Sequence, residues 1–188
     1  MATVNTAKPL AAFLDLIAES EGCCSSPLTV ANGYDVIVSG VDGHHIFTDY
    51  ATHPFALGRP SILVRAARPA LPARPDPLDA NRTLPAEPAV AELKSTASGR
   101  YQITLPTWLH LSSTYKLGTF APPKQDLAAL YLLDECHATA DILALEIPGA
   151  IAKAAEIWAS FPGNLYTQGG HPLDWLIARW ACCLQSQS

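Results

Sequence analysis

Two glutamates lie near the end of the stretch AFLDLIAESEGCC (residues 12–24), and one of them has the position that an acid catalyst needs. Apolar side chains recur there at helical spacing, which predicts a helix over residues 7–21. Glu21 falls on the apolar face of this helix. Glu19 falls about 200° away, with Asp15 on a polar face, and we expect it to be solvated.

A carboxyl on an apolar face at the end of a helix is disposed to keep its proton. Burial and the negative end of the helix dipole both raise its pKa. A glutamic acid still protonated near neutral pH can act as a general acid. The alternative is an ion pair between the Glu21 carboxylate and a buried arginine such as Arg100. Helical periodicity does not distinguish a protonated Glu21 from a Glu21 carboxylate in such an ion pair.

The elements that must position Glu21 are a small β element and a mostly helical remainder. Apolar and polar side chains alternate in the segments YDVIVS (34–39) and HHIFTDY (44–50), as they do in the strands of a hairpin. Helices are predicted over residues 105–116, 123–136, 138–146, 148–161 and 172–184. The tryptophans in these predicted helices are expected to be core residues rather than surfaces against which a sugar ring packs. They are Trp108, Trp158, Trp175 and Trp180. The predicted class is α+β, mostly α, in one domain over residues 1–188.

Residues 59–91 differ in composition from the rest of the chain. Seven of the sixteen prolines and five arginines occur between Arg59 and Pro88. We predict an extended loop, inserted within the domain, that is stiffened by proline and has little regular structure. A functional flap and a disordered insertion both remain open.

Composition argues against several classes of protein. The net charge is −5 and only 15% of residues are charged, which is unlike a nucleic-acid binder. No apolar run approaches the roughly 20 residues that span a membrane. The first residues are too acidic and too periodic for a secretory signal peptide, so we expect synthesis and folding in the cytoplasm. A monomer is the default expectation.

Neither the cysteines nor the histidines predict a metal site. The five cysteines form two adjacent pairs and a single residue, unlike zinc spacing, and we expect reduced thiols. A bridge between residues 23–24 and 182–183 is the alternative. A second group clusters in sequence: His44, His45, His53, Asp42 and Asp49. Adjacent histidines on a strand point to opposite faces, so His44 and His45 are not expected to share an ion.

Six blocks of sequence resemble the lambdoid-phage endolysins, which are muralytic enzymes of the lysozyme superfamily. The blocks are AFLDLIAESEG, NGYDVIVSG, FTDYATHP, LKSTASGRYQI, FAPPKQDLAALYLL and IWASFPG, and they occur in the family's order outside residues 59–91. The resemblance implies a lysozyme-like fold, in which a helical lobe and a small β-hairpin lobe flank a glycan cleft. Family members have a much shorter connection where residues 59–91 stand.

The resemblance also implies an activity. The family's catalytic acid is the glutamate of the SEG block, here Glu21. The family cleaves the MurNAc–GlcNAc β-1,4 bond of peptidoglycan as a lytic transglycosylase, leaving a 1,6-anhydro-MurNAc end and needing no metal or other cofactor. One alternative is a hydrolytic lysozyme that uses Glu21 with Asp35 as the second carboxyl. Another is a non-catalytic peptidoglycan-binding module.

Five further residues are candidates for substrate binding. They are Asp35 at the start of the hairpin, Arg100, Tyr101 and Gln102 of the SGRYQ block, and Tyr166 in a segment that corresponds to a mobile lip. Gln102 offers an amide that both donates and accepts hydrogen bonds, as recognition of N-acetyl groups requires. Turn capping by Asp35 and structural roles for Arg100, Tyr101 and Gln102 remain open.

The resemblance also implies the partners of the protein and its location in the cell. The partners are peptidoglycan glycan strands and, for access to them, a holin-like membrane permeabiliser. We expect the protein to reside in the host cytoplasm and to act on peptidoglycan in the periplasm after its release.

Overall fold

The structure is a computed structural model and describes residues 1–163 and 170–187. Within these ranges the chain forms six α-helices, a 3₁₀ turn (Cys23–Ser25) and six short β-strands. The helices are α1 (Lys8–Ser20), α2 (Leu105–Tyr115), α3 (Pro122–Glu135), α4 (Thr139–Leu143), α5 (Ile147–Ala154) and α6 (Leu173–Gln185). The strands are β1 (Val36–Gly40), β2 (Gly43–Ile46), β3 (Ile62–Arg65), β4 (Arg74–Asp76), β5 (Asp79–Leu84) and β6 (Leu93–Ser95). This content confirms the predicted α+β, mostly α class. None of the described helices is both long and apolar enough to cross a bilayer.

Helix α1 is the centre of the fold and is enclosed on all sides. Every residue from Leu10 to Ala18 is buried. The predicted polar face is therefore wrong, because α6 packs along it. Asp15 is buried and accepts a hydrogen bond from Arg100 Nη2 at 2.8 Å, and Glu19 accepts one from Arg179 of α6.

Helices α2 to α6 lie at the predicted positions, but α4 and α5 are shorter than predicted. The 138–146 segment is helical only in α4, and Leu145 beyond it has a positive φ of 64°. The 148–161 segment is helical only through α5. Its remainder turns so that Trp158 Nε1 reaches Tyr101 O at 3.0 Å.

One predicted core tryptophan is exposed. Trp108, Trp158 and Trp180 are buried, as predicted. Trp175 is 37% exposed. Along α6 the buried side chains are Leu176, Trp180 and Cys183, at spacings of four and three, so Trp175 lies off the buried stripe.

The β part begins with the predicted hairpin. Strands β1 and β2 pair antiparallel, with Val36 opposite Ile46. The second strand ends earlier than predicted, at Ile46, and the ring of Phe47 after it contacts those of Tyr50 and Phe120. The hairpin also contacts β3, which joins it to the next part of the chain.

The proline-rich segment forms a two-stranded antiparallel ribbon over residues 62–95, so the prediction of little regular structure is wrong. Strand β3 pairs with β6, and β4 pairs with β5 around the turn at Pro77 and Leu78. Between them, cross-strand bonds are donated by the N–H groups of Arg68, Leu71, Glu87 and Val90. Prolines stand directly after three of these donors, at positions 69, 72 and 88. Alternate N–H groups of a two-stranded ribbon point outward, where proline removes no ladder bond.

The histidines that cluster in sequence have different partners in the structure, and the cysteines are not bonded to one another. His53 is buried, with Nε2 3.0 Å from Ile103 O. His44 Nδ1 lies 2.7 Å from Ser39 Oγ, and His45 Nε2 lies 3.0 Å from Asp42 Oδ1. All five cysteines are free thiols, so the alternative bridge is not formed. Over the described ranges, no three metal-ligating side chains are arranged to hold an ion.

The loop over residues 98–103 carries the SGRYQ block and is seated on two buried side chains of α3. Gln125 Oε1 accepts the Arg100 N–H at 3.0 Å, and Gln125 Nε2 donates to Tyr34 O at 3.0 Å. The next residue, Asp126, accepts the Tyr101 hydroxyl at 2.6 Å. These bonds fix the loop directly beside the end of α1.

Substituting Gly99→Ala is expected to lower the free energy of unfolding by roughly 2–5 kcal/mol. Gly99 has a φ of +75°, and an added Cβ would lie 2.1 Å from Gln125 Oε1. Denaturant unfolding measures the loss. The control is Gly118→Ala, where φ is +77° but the same Cβ would meet nothing within 4 Å. Equal losses in the two variants would contradict the close contact with Gln125.

Candidate active site

Glu21 stands at the C-terminal end of α1, at the point where the chain leaves the helix. Its N–H still bonds Ile17 O at 2.9 Å, so the backbone of Glu21 is held by the helix. Gly22 follows with a φ of +70° and redirects the chain into the 3₁₀ turn. The Glu21 side chain is thereby presented between the β1–β2 hairpin and the turn that follows α5.

The partner of the Glu21 carboxyl is Ser160. Ser160 Oγ donates to Glu21 Oε1 at 2.7 Å and lies 3.0 Å from Ser20 Oγ. The Ser160 carbonyl in turn accepts the His171 N–H at 2.8 Å, which anchors this residue to the segment before α6. The alternative of an ion pair between Glu21 and Arg100 is wrong, because the Arg100 guanidinium bonds Asp15.

The surroundings of Glu21 favour its protonated form. Burial raises the pKa of Glu21 above its ordinary value, and this is the largest influence on it. Side-chain and backbone hydrogen bonds from Ser160 lower the pKa but do not cancel the effect of burial. The site therefore holds a carboxyl that can keep a proton at a pH where an exposed glutamate has lost it.

Two pockets meet at Glu21. The hairpin-side pocket has a volume of about 380 Å³ and is lined by Glu21, Gly22, Cys23, Ser25, Ser26, Pro27, Val36, Ile37, Val38, Ser39, His44 and Gln102. The ribbon-side pocket has a volume of about 270 Å³ and is lined by Glu21, Val38, Val64, Leu93, Lys94, Ser95, Ala97, Gln102, Thr104, Ile157, Trp158 and Ala159. Glu21, Val38 and Gln102 belong to both. A linear ligand can therefore lie across Glu21 with a part on either side.

Glu21 is the one carboxylate among the described residues that line the two pockets. The other polar groups that line the pockets include hydroxyls, the Gln102 amide, the Cys23 thiol, the imidazole of His44 and the ammonium of Lys94. Such groups can bind and orient a polar ligand, and Glu21, where the two pockets meet, is a carboxyl that can donate and accept a proton.

Gln102 lies where a substrate contact is predicted. Its backbone has a φ of +49°, and its Nε2 donates to Gly99 O at 3.1 Å. This bond holds the amide against the 98–103 loop beside Glu21. Its role in substrate binding stays a prediction.

Asp35 does not reach the cleft, which corrects its predicted substrate contact. The residue is 2% exposed, and its carboxylate caps the loop before β1. It accepts the Val30 N–H at 2.9 Å and the Thr29 hydroxyl. The turn-capping alternative fits this placement.

Arg100 and Tyr101 also point away from the cleft, which corrects their predicted contacts with substrate. Arg100 is 2% exposed and makes its ion pair with Asp15 in the interior. Tyr101 is fully buried, and its hydroxyl bonds Asp126. Both residues hold the 98–103 loop rather than a ligand. Tyr166, the remaining candidate, lies outside the described residues.

Sequence reasoning assigned no role to Ser160, Lys94, Ser39 or His44, all of which stand at the site. Ser160 belongs to a block, IWASFPG, that carried the resemblance. Its contact with Glu21 joins residues 139 positions apart, and no local pattern reveals such a contact.

Substituting Ser160→Ala is expected to raise the pKa of Glu21 further, because a hydrogen bond that lowers it is lost. An acid catalyst stops working as its proton leaves, so the alkaline fall in kcat/KM should move to higher pH. The rate itself should fall by roughly threefold to tenfold, the equivalent of one hydrogen bond. The measurement is a pH–rate profile on purified peptidoglycan, the substrate that the resemblance implies. Ser160→Thr keeps the hydroxyl and should leave the alkaline limb in place, and a limb that stays put in Ser160→Ala would contradict the assignment.

Comparison with known proteins gives consistent matches along the chain. A family model described as Endolysin matches residues 11–70 and 80–183, leaving out residues 71–79 in the distal part of the ribbon. The endolysin of Escherichia phage P2 is 41% identical over 181 residues, which are 96% of this chain and 95% of that protein. The endolysin of Escherichia phage lambda is 35% identical over 170 residues, which are 90% of this chain and 87% of that protein.

Solved structures show the same likeness. Bacteriophage lambda lysozyme complexed with a chitohexasaccharide matches with a TM-score of 0.73 and 33% identity, covering 96% of this chain and 97% of that one. Another structure of lysozyme from bacteriophage lambda matches with a TM-score of 0.70, 32% identity and the same coverage. These matches confirm the predicted lysozyme-like fold.

Proposed function

This chain belongs to the endolysin family, and from that premise we propose that it cleaves the MurNAc–GlcNAc β-1,4 bonds of bacterial peptidoglycan. Family membership confirms the resemblance to the lambdoid-phage endolysins. The substrate class is supported by the lambda lysozyme structure, which was obtained with a chitohexasaccharide, a related β-1,4 glycan. It is further supported by the pair of pockets on either side of Glu21.

The reaction we propose is lytic transglycosylation. The main support for this assignment is that Glu21 is the one carboxylate among the described residues that line the two pockets. A hydrolase that retains or inverts configuration canonically uses two carboxyls, the second acting as nucleophile or activating water. In a transglycosylase the nucleophile belongs to the substrate, so a single acid suffices.

Each step can be assigned to Glu21 and the substrate. Protonated Glu21 donates its proton to the glycosidic oxygen, and the bond from that oxygen to C1 of MurNAc breaks. The C6 hydroxyl of the same MurNAc then forms a bond to C1, and its proton passes to the Glu21 carboxylate. The products are a free 4-hydroxyl on the departing GlcNAc and a 1,6-anhydro-MurNAc end. No water is consumed, and Glu21 ends in the protonated form in which it began.

Ser160 gives the two oxygens of Glu21 different tasks. Its hydroxyl donates to Oε1 at 2.7 Å, so Oε1 is already an acceptor when the carboxyl is neutral. The proton is then carried on Oε2 and can be directed at the substrate. After transfer, the same bond stabilises the carboxylate until it takes the proton from the C6 hydroxyl.

The hydrolytic alternative requires Asp35 as the second carboxyl. Its side chain is buried in the loop before β1 and accepts bonds from Val30 and Thr29. This placement does not favour a direct part in the chemistry. A non-catalytic binding module would have no need of a carboxyl whose pKa is raised at the meeting point of two pockets.

The setting of the reaction is part of the proposal. Glycan strands of peptidoglycan are the partner, and a holin-like membrane permeabiliser supplies access to them. The protein resides in the host cytoplasm as a monomer and acts in the periplasm after release.

The test of cleavage is the release of soluble fragments from purified peptidoglycan sacculi by the wild-type protein. We expect continuous release by wild type and essentially none by Glu21→Gln. Binding to sacculi without release of fragments from the wild type would overturn the enzymatic proposal and leave the binding module.

A further inference from the structure

A third pocket lies beside the site and is lined by an exposed tryptophan. It has a volume of about 380 Å³, and its lining residues are Glu19, Cys24, Ser25, Trp175 and Arg179. The indole of Trp175 is stacked on the imidazole of His171, with ring centroids 4.1 Å apart and an interplanar angle of 16°. The stacked indole forms one wall of the pocket. We call this cavity the Trp175 pocket.

The Trp175 pocket adjoins the hairpin-side pocket. Ser25 of the 3₁₀ turn lines both cavities, and Glu21 lines the first and Trp175 the second. The 3₁₀ turn follows Glu21 directly in the chain, and His171 Nε2 lies 3.2 Å from Ser20 O. The two cavities therefore adjoin at Ser25, beside the end of α1.

The linings of the Trp175 pocket fit a sugar ring better than a charged or a purely apolar group. Trp175 offers an aromatic surface against which the C–H groups of a pyranose can pack. Arg179 Nε donates to Glu19, so the two charges are paired and give no net preference for a charged ligand. A guanidinium has five N–H donors, and Ser25 adds a hydroxyl, which together suit the hydroxyls of a saccharide.

We propose that the Trp175 pocket is a distal saccharide subsite, which binds a sugar of the same glycan strand after it has passed Glu21 and the hairpin-side pocket. The proposal rests on the proposed glycan substrate and adds a binding position outside the two pockets that meet at Glu21. It makes the affinity of the protein depend on strand length, because only longer strands reach Trp175.

The test compares a short and a long saccharide in the Glu21→Gln background, in which binding is measured without cleavage. The probes are chitotriose and chitohexaose, and calorimetry gives the Kd of each. Adding Trp175→Ala should weaken chitohexaose by roughly threefold to tenfold, the range expected for one aromatic contact, and leave chitotriose unchanged. Trp175→Phe keeps an aromatic face and should retain most of the affinity for chitohexaose.

The same variant in the active protein gives an independent outcome. Trp175→Ala should lower kcat/KM on long peptide-free glycan strands and not on short ones. Equal losses at both lengths in a variant that unfolds at the wild-type denaturant concentration would mean that Trp175 does not act through a distal sugar. No loss at either length would mean that no sugar binds there, and each of these outcomes overturns the subsite. A loss confined to peptide-bearing strands would also overturn it, because the pocket would then hold the stem peptide. Unimpaired wild-type cleavage in any of these cases would leave the proposed function standing.

Discussion

Substituting Glu21→Gln is expected to lower the turnover of peptidoglycan by roughly 10²- to 10⁴-fold, the range that general acid–base catalysis contributes. The amide has nearly the shape of the carboxyl, and its oxygen can still accept the bond from Ser160. It has no acidic proton for the glycosidic oxygen and cannot take one from the C6 hydroxyl. Release of soluble fragments from sacculi, measured over time, gives the rates.

The control for this substitution is Glu156→Gln. Glu156 is an exposed glutamate after α5, so the same chemical change is made away from the two pockets. We expect wild-type turnover from it. Affinity for sacculi should survive in Glu21→Gln, because the pocket walls are unchanged. Turnover within threefold of wild type in Glu21→Gln would remove Glu21 from the mechanism.

The largest expected effect on stability comes from Asp126→Ala, which should lower the free energy of unfolding by roughly 3–5 kcal/mol. Asp126 is fully buried and accepts hydrogen bonds from three parts of the chain. Its Oδ1 accepts the hydroxyls of Tyr34 at 2.7 Å and Tyr101 at 2.6 Å. Its Oδ2 accepts the Thr3 hydroxyl at 2.7 Å and the Val4 N–H at 3.1 Å. Removing the carboxylate leaves the buried hydroxyls of Tyr34 and Tyr101 without their acceptor and removes the bonds to Thr3 and Val4.

Denaturant unfolding measures this loss, which is a large share of the 5–15 kcal/mol that typically separates folded from unfolded domains. The control is Asp134→Ala on the exposed side of the same helix, α3, where a change within about 0.5 kcal/mol is expected. Tyr34→Phe and Tyr101→Phe each remove one donor and should cost less than Asp126→Ala. A loss below about 1 kcal/mol in Asp126→Ala would contradict its part in joining the N-terminal segment, the β lobe and the 98–103 loop.

The catalytic candidate was predictable from sequence, although one part of the physical argument was wrong. Periodicity placed Glu21 on an apolar face and Glu19 on a polar one. In the structure α1 is enclosed on all sides, and Glu19 meets Arg179 of α6. What distinguishes Glu21 is its position at the helix end, where two pockets meet and Ser160 reaches its carboxyl. Those contacts depend on residues far away in sequence.

The candidates for substrate binding show where residue type misleads. Arginine, tyrosine and aspartate suit a sugar-binding site, but they serve equally well as buried hydrogen-bond partners. Arg100, Tyr101 and Asp35 take the second role, and only Gln102 of the described candidates lines the pockets. Which role a polar side chain takes is decided by tertiary packing rather than by its neighbours in sequence.

The exposure of Trp175 and the pairing of the ribbon both have a pattern in the sequence that agrees with the structure. The stripe formed by Leu176, Trp180 and Cys183 defines the buried face of α6 and leaves Trp175 beside it. In the ribbon, the proline content favoured an irregular loop. The prolines at 69, 72 and 88 each follow a residue whose N–H makes a cross-strand bond, a spacing that a two-stranded ribbon tolerates.

The measurement that tests the central claim most directly is a digest of purified peptidoglycan in water enriched in heavy oxygen, with the products weighed by mass spectrometry. A transglycosylase that uses Glu21 as its single acid gives 1,6-anhydro-MurNAc ends that carry no heavy oxygen, and Glu21→Gln gives none of these products. Reducing MurNAc ends labelled with heavy oxygen would contradict the account, because a water molecule would then have taken the place assigned to the C6 hydroxyl.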